Sequence, residues 1–148
     1  MLKALVAFLV LPGVVTFAAP FALATGRHPD PQSGVYAAVL FITGGLLLLW
    51  CVREFYVAGR GTLAPWAPPR HLVVSGPYRF SRNPMYIAVS VILAGWAALY
   101  WSYALMIYLT MVGIAFHLRV LLGEEPALAS AFGPAWESYR ARTKRWLL

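Results

Sequence analysis

A chain of 148 residues that is 61% hydrophobic and 11% charged, with a mean hydropathy of +0.69, lies outside the range of soluble globular proteins and points to an integral membrane protein of one domain. Twelve Lys and Arg against five Asp and Glu give a net charge of +7, yet most of these charges fall in residues 53–82 and 119–145 and leave the apolar runs uncharged. Charge in that pattern describes membrane topology and argues against a nucleic-acid-binding surface, which needs polar area that so apolar a chain lacks.

The first apolar run predicts a membrane helix over about 4–25, bent at Pro12 and Pro20. Lys3 before it and Ala22-Leu23-Ala24 at its end imitate a secretory signal, but its length favours a retained helix. After a loop at Gly26 to Gly34, a second span is expected over 35–52, where Gly44-Gly45 would let another helix approach closely and the single cysteine, Cys51, reads as packing. Residues 53–83 carry five arginines, Glu54 and four prolines and read as a structured polar loop, with Tyr56 and Trp66 at headgroup depth. The uncharged stretch that follows predicts two short spans, about 85–99 and 103–121, joined at the interfacial aromatics Tyr100, Trp101 and Tyr103, with Met106 and Met111 facing lipid or packing. The tail, 123–148, is too polar to span and predicts two interfacial helices separated at Gly133-Pro134. The expectation is thus an all-α protein of four transmembrane helices, N-in and C-in by the alternation of basic loops, with loop 53–83 and the tail on the cytoplasmic face.

Candidate chemistry is confined to that face. The stretch His71 to Tyr86 concentrates polar groups, turn formers and aromatics, with Gly76-Pro77 and Asn83-Pro84 fixing its ends and Pro84 suited to the first turn of a helix. His28, His71 and His117 are far apart in sequence and Cys51 is alone, so no metal site is expected. Neither a phosphate-binding glycine loop nor a hydrolase triad is visible. Glu124 and Glu125 suit the first turn of a helix at Pro126, or else a polar site in which Glu124 lies two turns beyond His117. Arg79 and Arg82 suit juxtamembrane cations or a site that holds an anion.

Taken together, Gly76-Pro77-Tyr78-Arg79, Arg82-Asn83-Pro84-Met85-Tyr86, His117, Glu124-Glu125-Pro126-Ala127-Leu128, Phe132-Gly133, Tyr139 and Arg145-Trp146 resemble the isoprenylcysteine carboxyl methyltransferase and phospholipid methyltransferase families of membrane enzymes. The resemblance covers residues 70–146, with departures at Asn83, Ala88 and Gly123, where histidine, glycine and an aromatic are frequent, and at His71, which falls one residue out of register. It implies an S-adenosylmethionine-dependent methyltransferase whose donor pocket opens to the cytosol while a lipid acceptor enters from the bilayer. Arg82, Glu125 and Tyr86 are the implied catalytic residues, and Gly76, Pro77, Tyr78, Pro84, His117, Glu124 and Leu128 the implied cofactor-binding ones.

The residue types suit that donor, which needs an acid for its amino or hydroxyl groups, a cation for its carboxylate and aromatics for its adenine or sulfonium. An acceptor carboxylate is already ionised at neutral pH and needs only a positioning cation, for which Arg82 is the choice; an amine would also need Glu125 or His117 as base. The expected activity is methyl transfer to a lipid-borne, prenylated or otherwise hydrophobic acceptor, in a bacterial inner membrane, with no nucleic-acid or metal partner. A phospholipid headgroup N-methyltransferase and a non-catalytic membrane packing or assembly protein are the alternatives.

Overall fold

The computed structural model describes residues 13–59 and 71–147, so the expectations for Pro12 and Trp66 fall outside it. Among the described residues there is no strand. The helices are α1 (Val14–Ala24), α2 (Gly34–Gly59), α3 (Pro84–Tyr100), α4 (Tyr103–Arg119), α5 (Glu125–Phe132) and α6 (Pro134–Arg142), with a short 3-10 turn at Gly76–Arg79.

Pro20, expected to bend its helix, and Pro126, expected in the first turn of one, are accommodated by one device. In α1 the Ala19 N–H donates to Val14 O, five residues back, just before Pro20. The wider π turn leaves Val15 O without a helical donor, since Pro20 has no N–H to give it, and Tyr108 Oη of α4 donates to that carbonyl at 2.9 Å. The same construction joins α4 to α5: the Glu125 N–H reaches Val120 O just before Pro126, so Val120–Glu124 is a π stretch. The helical run therefore continues from Tyr103 to Phe132, where the sequence predicts a span ending near 121. Its break comes at Gly133, whose φ of +47 suits glycine, and α6 begins at Pro134 as expected.

α2 also runs past its expected end at 52, to Gly59, so Arg53 to Gly59 are helical rather than part of a loop. Charge ended the hydropathic run without supplying a helix stop, and no proline intervenes before Pro65. α2 packs closely on α3: a Cβ on Gly44 would lie 2.7 Å from Ile92 Cγ1 and 3.0 Å from the backbone oxygen of Ala88, whereas one on Gly45 would meet open space. The close approach was expected of the pair and belongs to Gly44 alone. Gly44→Leu is expected to lower stability by about 1–3 kcal/mol through overpacking, read as a fall in thermal midpoint that Gly45→Leu does not produce. At the far end the Asp30 N–H donates to Leu99 O at 2.8 Å, and the α3–α4 hairpin turns on Trp101 in the left-handed region, φ 45.

Four crossings were expected, but among the described residues two helices are long and apolar enough for one: Gly34–Ala58 and Tyr103–Phe132. α3, at 17 residues, is ~26 Å long against a hydrocarbon layer of about 30 Å, and α1 is described only from Val14. The two long helices turn apolar stripes outward, Val35, Val39, Ile42 and Leu46 on α2 and Ile107, Met111, Ile114 and Leu118 on α4. Their spacing of three or four residues puts each stripe on one face, as a helix against lipid requires. α3 instead buries Ala88, Val89, Ile92 and Leu93 between its neighbours.

Candidate functional site

Because α2, α3 and α4 alternate in direction, the end of α2, the start of α3 and the end of α4 meet at one end of the molecule. The 71–83 segment and the tail close over that end. Gly76 has φ +56, and a Cβ there would fall 2.6 Å from Glu54 Cγ on α2. Ser75 Oγ donates to Glu54 Oε2 at 2.6 Å, so the turn is clamped onto α2 at the one residue with no side chain to obstruct it. Pro77 and Tyr78 are buried behind it, with Tyr78 against Val73 and the fully buried Cys51. Tyr139 Oη of α6 donates to Tyr78 O at 2.7 Å, and burial pushes the Tyr139 phenol up to about 12, which keeps it a donor. Burial likewise raises Tyr78, whose hydroxyl has no partner among the described residues.

The predicted acids meet different partners because of the π stretch, which adds a residue to the turn that carries them. Glu125 is gripped by two arginines. Arg145 Nε and Nη2 donate to its two oxygens at 2.8 Å each, and Arg82 Nη1 lies 3.0 Å from Oε1. Hydrogen bonding to Glu125 raises the Arg145 pKa. The Arg82 and Glu125 side chains are only 9% and 11% exposed, so this pair is desolvated. Burial lowers the Arg82 pKa and Glu125 opposes the shift. The Arg82 guanidinium also lies over the Trp136 ring, 5.5 Å from its centroid, and while Nη1 faces Glu125, its Nε has no hydrogen-bond acceptor among the described residues.

Glu124 faces Tyr86 and Arg119. Tyr86 Oη donates to Glu124 Oε1, and Arg119 Nε donates to the same oxygen at 2.8 Å and to Tyr86 Oη at 3.1 Å. The Tyr86 ring packs on Phe116 with centroids 4.4 Å apart. His117, which sequence spacing put on the Glu124 face, is exposed and accepts at Nδ1 from Trp146 Nε1, 3.2 Å away. Pro84 opens α3 as expected, and Leu128 is half-buried on α5. His71 and Arg79 are exposed.

The constellation therefore holds most predicted residues together, gives Arg145 and Trp146 of the resembling motif a place in the site, and adds Glu54, Ser75, Arg119 and Trp136. Arg119 had one visible signal, a cation in an apolar helix five residues before an acid, but α-helical spacing looks for four. Beneath the polar groups lies an open-sided cavity of about 420 Å³, lined by the half-buried Leu40 of α2, Ile87, Ser90, Val91 and Ala94 of α3, Leu109, Gly113 and Phe116 of α4, and Trp146. Its walls are almost wholly apolar, and Phe116 and Trp146 lie beside Tyr86 and His117.

Comparison with known proteins gives a match to the phospholipid methyltransferase family over residues 33–135. The chain is similar to the cobalt-zinc-cadmium resistance protein CzcN of Cupriavidus metallidurans, 30% identical over 118 residues, which are 74% of this chain and 50% of that protein. It is also similar to the nickel-cobalt-cadmium resistance protein NccN of Alcaligenes xylosoxydans xylosoxydans, 29% identical over 138 residues, 88% of this chain and 59% of that one. The chain thus spans little more than half the length of these curated relatives. No solved structure matches it.

Proposed function

Since the chain belongs to the phospholipid methyltransferase family, we propose that it transfers a methyl group from S-adenosylmethionine to a hydrophobic, lipid-borne acceptor, in the manner of an isoprenylcysteine carboxyl methyltransferase. The observation that carries this reading is the juxtaposition of the apolar cavity with the Tyr86–Glu124–Arg119 and Arg82–Glu125–Arg145 clusters. A polar donor and an apolar acceptor need two such compartments side by side.

The residues fit the donor. Arg82 has a buried Nε–H in want of an acceptor, which a carboxylate supplies, and the half-buried Glu124 with Tyr86 suits ammonium or hydroxyl donors. Bound there, the donor supplies an electrophilic methyl group on a sulfonium. The chain's own part is to align the acceptor with that methyl and to keep water out, and an apolar cavity with aromatics at its polar end is suited to both.

A carboxylate acceptor is favoured because each candidate base at the site already accepts a hydrogen bond: Glu125 from Arg145, Glu124 from Tyr86 and Arg119, His117 Nδ1 from Trp146. Methylation of a carboxylate releases no proton and asks for no free base. The family match itself favours the second reading, N-methylation of a phospholipid headgroup. The relatives are named for metal resistance, and among the described residues no three His, Cys, Asp or Glu side chains converge. We place the protein in a bacterial inner membrane with this end at the cytoplasmic face.

Gly113 lines the cavity, and a Cβ added there would meet no atom within 4 Å. Gly113→Leu is therefore expected to occupy acceptor space and lower methyl transfer to lipid extracts by at least about tenfold, ~1.4 kcal/mol of transition-state stabilisation. Thermal midpoint and S-adenosylhomocysteine binding should be unchanged. Full transfer by this variant, measured with a radiolabelled methyl donor, would remove the cavity from the reaction.

A further inference from the structure

The cavity has one wall that does not come from the helices of its core. Eight lining residues belong to α2, α3 and α4, and the ninth is Trp146, which lies beyond the region matched by the family. The backbone leading to it is pinned firmly. The Arg82 N–H donates to Lys144 O at 2.9 Å, Ser81 Oγ and Asn83 Nδ2 both donate to Arg145 O at 3.0 Å, and the Arg145 guanidinium grips Glu125. Past Arg145 the polar hold on the side chain is light. The Trp146 indole N–H donates to His117 Nδ1, its ring stacks loosely on the imidazole with centroids 6.2 Å apart and planes at 28°, and the following Leu147 is exposed. His117 is itself exposed on α4, so no other side chain walls this contact in.

A bulky aromatic hinged on a rigid anchor and held by one exposed hydrogen bond has the construction of a gate. We propose that Trp146 closes the polar end of the cavity, with His117 as its catch, and so determines how far the acceptor's apolar part advances toward the methyl donor. The inference rests on reading the cavity as the acceptor's site. It gives the His117 imidazole a structural duty at its Nδ1 lone pair, and it makes the width of residue 146 a determinant of acceptor choice: a smaller side chain opens the cavity to the polar cluster, and an aromatic without an N–H closes it less firmly.

The gate can be measured without donor or acceptor. Cys51 is the single cysteine of the sequence and is buried, so a Gly113→Cys substitution places one reactive thiol in the cavity wall, at a position with open space for it. The full chain in lipid nanodiscs is exposed to 2-(trimethylammonium)ethyl methanethiosulfonate, a permanently charged reagent confined to water, and the rate of labelling is followed by mass spectrometry. Trp146→Ala is expected to raise the rate by at least about tenfold, while His117→Ala and Trp146→Phe, which lose the hydrogen bond and keep an aromatic at 146, raise it by about two- to tenfold, the worth of one such bond. Chains retaining Gly113 report on folding in each background, because unfolding would expose Cys51 to the reagent.

An unchanged rate in folded Trp146→Ala overturns the gate. An unchanged rate in both His117→Ala and Trp146→Phe overturns the catch. Neither result touches the methyltransferase reading, which S-adenosylhomocysteine binding tests separately; loss of that reading would leave the labelling rates as they are.

Discussion

Glu125→Ala is expected to destabilise the protein by about 3–5 kcal/mol and to abolish S-adenosylhomocysteine binding, because it leaves a desolvated guanidinium without its counter-charge. Arg82 is nearly buried, and its other neighbour of note is the face of Trp136, which cannot replace a carboxylate. The same substitution releases Arg145, and with it the strap whose carbonyl oxygens tie the tail to Ser81, Arg82 and Asn83. Thermal and denaturant unfolding of the detergent-purified variant check the first part. A double-mutant cycle with Arg82→Met checks its cause: when both charges are removed, much of the loss should be recovered, since the desolvated guanidinium is gone and only the more exposed Arg145 is left without its carboxylate. Equal loss in the single and double variants would place the effect in the tail and not in the buried charge.

Gly76→Ala is expected to have the second largest effect, about 2–4 kcal/mol, from two sources that add. The left-handed conformation costs a residue with a Cβ about 1–2 kcal/mol, and the new atom would stand 2.6 Å from Glu54 Cγ and 3.0 Å from Trp50 Nε1, an overlap that has to be relieved by moving the clamp. The consequence reaches the site, because displacing Glu54 breaks its bond with Ser75 and frees the turn that carries Tyr78 and leads to Arg82. Hydrogen exchange of residues 75–83 should rise in the variant. A Glu54→Ala/Gly76→Ala double variant should restore part of the midpoint by making room, and failure to restore any would confine the cost to the backbone.

The sequence made the helical architecture and the two ends of the active loop legible because apolar runs, the Gly76-Pro77 turn and Pro84 act locally. Helix ends are less legible, for a physical reason: a charge ends an apolar run without ending a helix. Arg53 and Glu54 are charged yet continue α2, since charge ends membrane burial without ending hydrogen bonding. Pro20 and Pro126 each follow a π turn that moves the missing donor to a place where the register is already changing, so neither breaks its helix. That turn also decides the roles of the acids. Glu124 lies five residues beyond Arg119 and meets it, and Glu125 turns to arginines 43 and 20 residues away in sequence, a pairing that no local pattern contains. Glu54 was visible only as a lone acid among arginines, and its bond to Ser75, 21 residues on, depends on the fold.

The central claim is that the polar cluster holds the methyl donor. Its most direct test is calorimetric binding of S-adenosylhomocysteine to the full chain in lipid nanodiscs, with Arg82→Ala and Tyr86→Phe/Glu124→Gln beside it and folding verified for each. The account predicts saturable binding by the parent chain with one site per chain, and loss of at least about tenfold in affinity in each variant, the value of a hydrogen bond to a charged group. Absence of binding by folded parent protein, or binding that both variants retain in full, would contradict it.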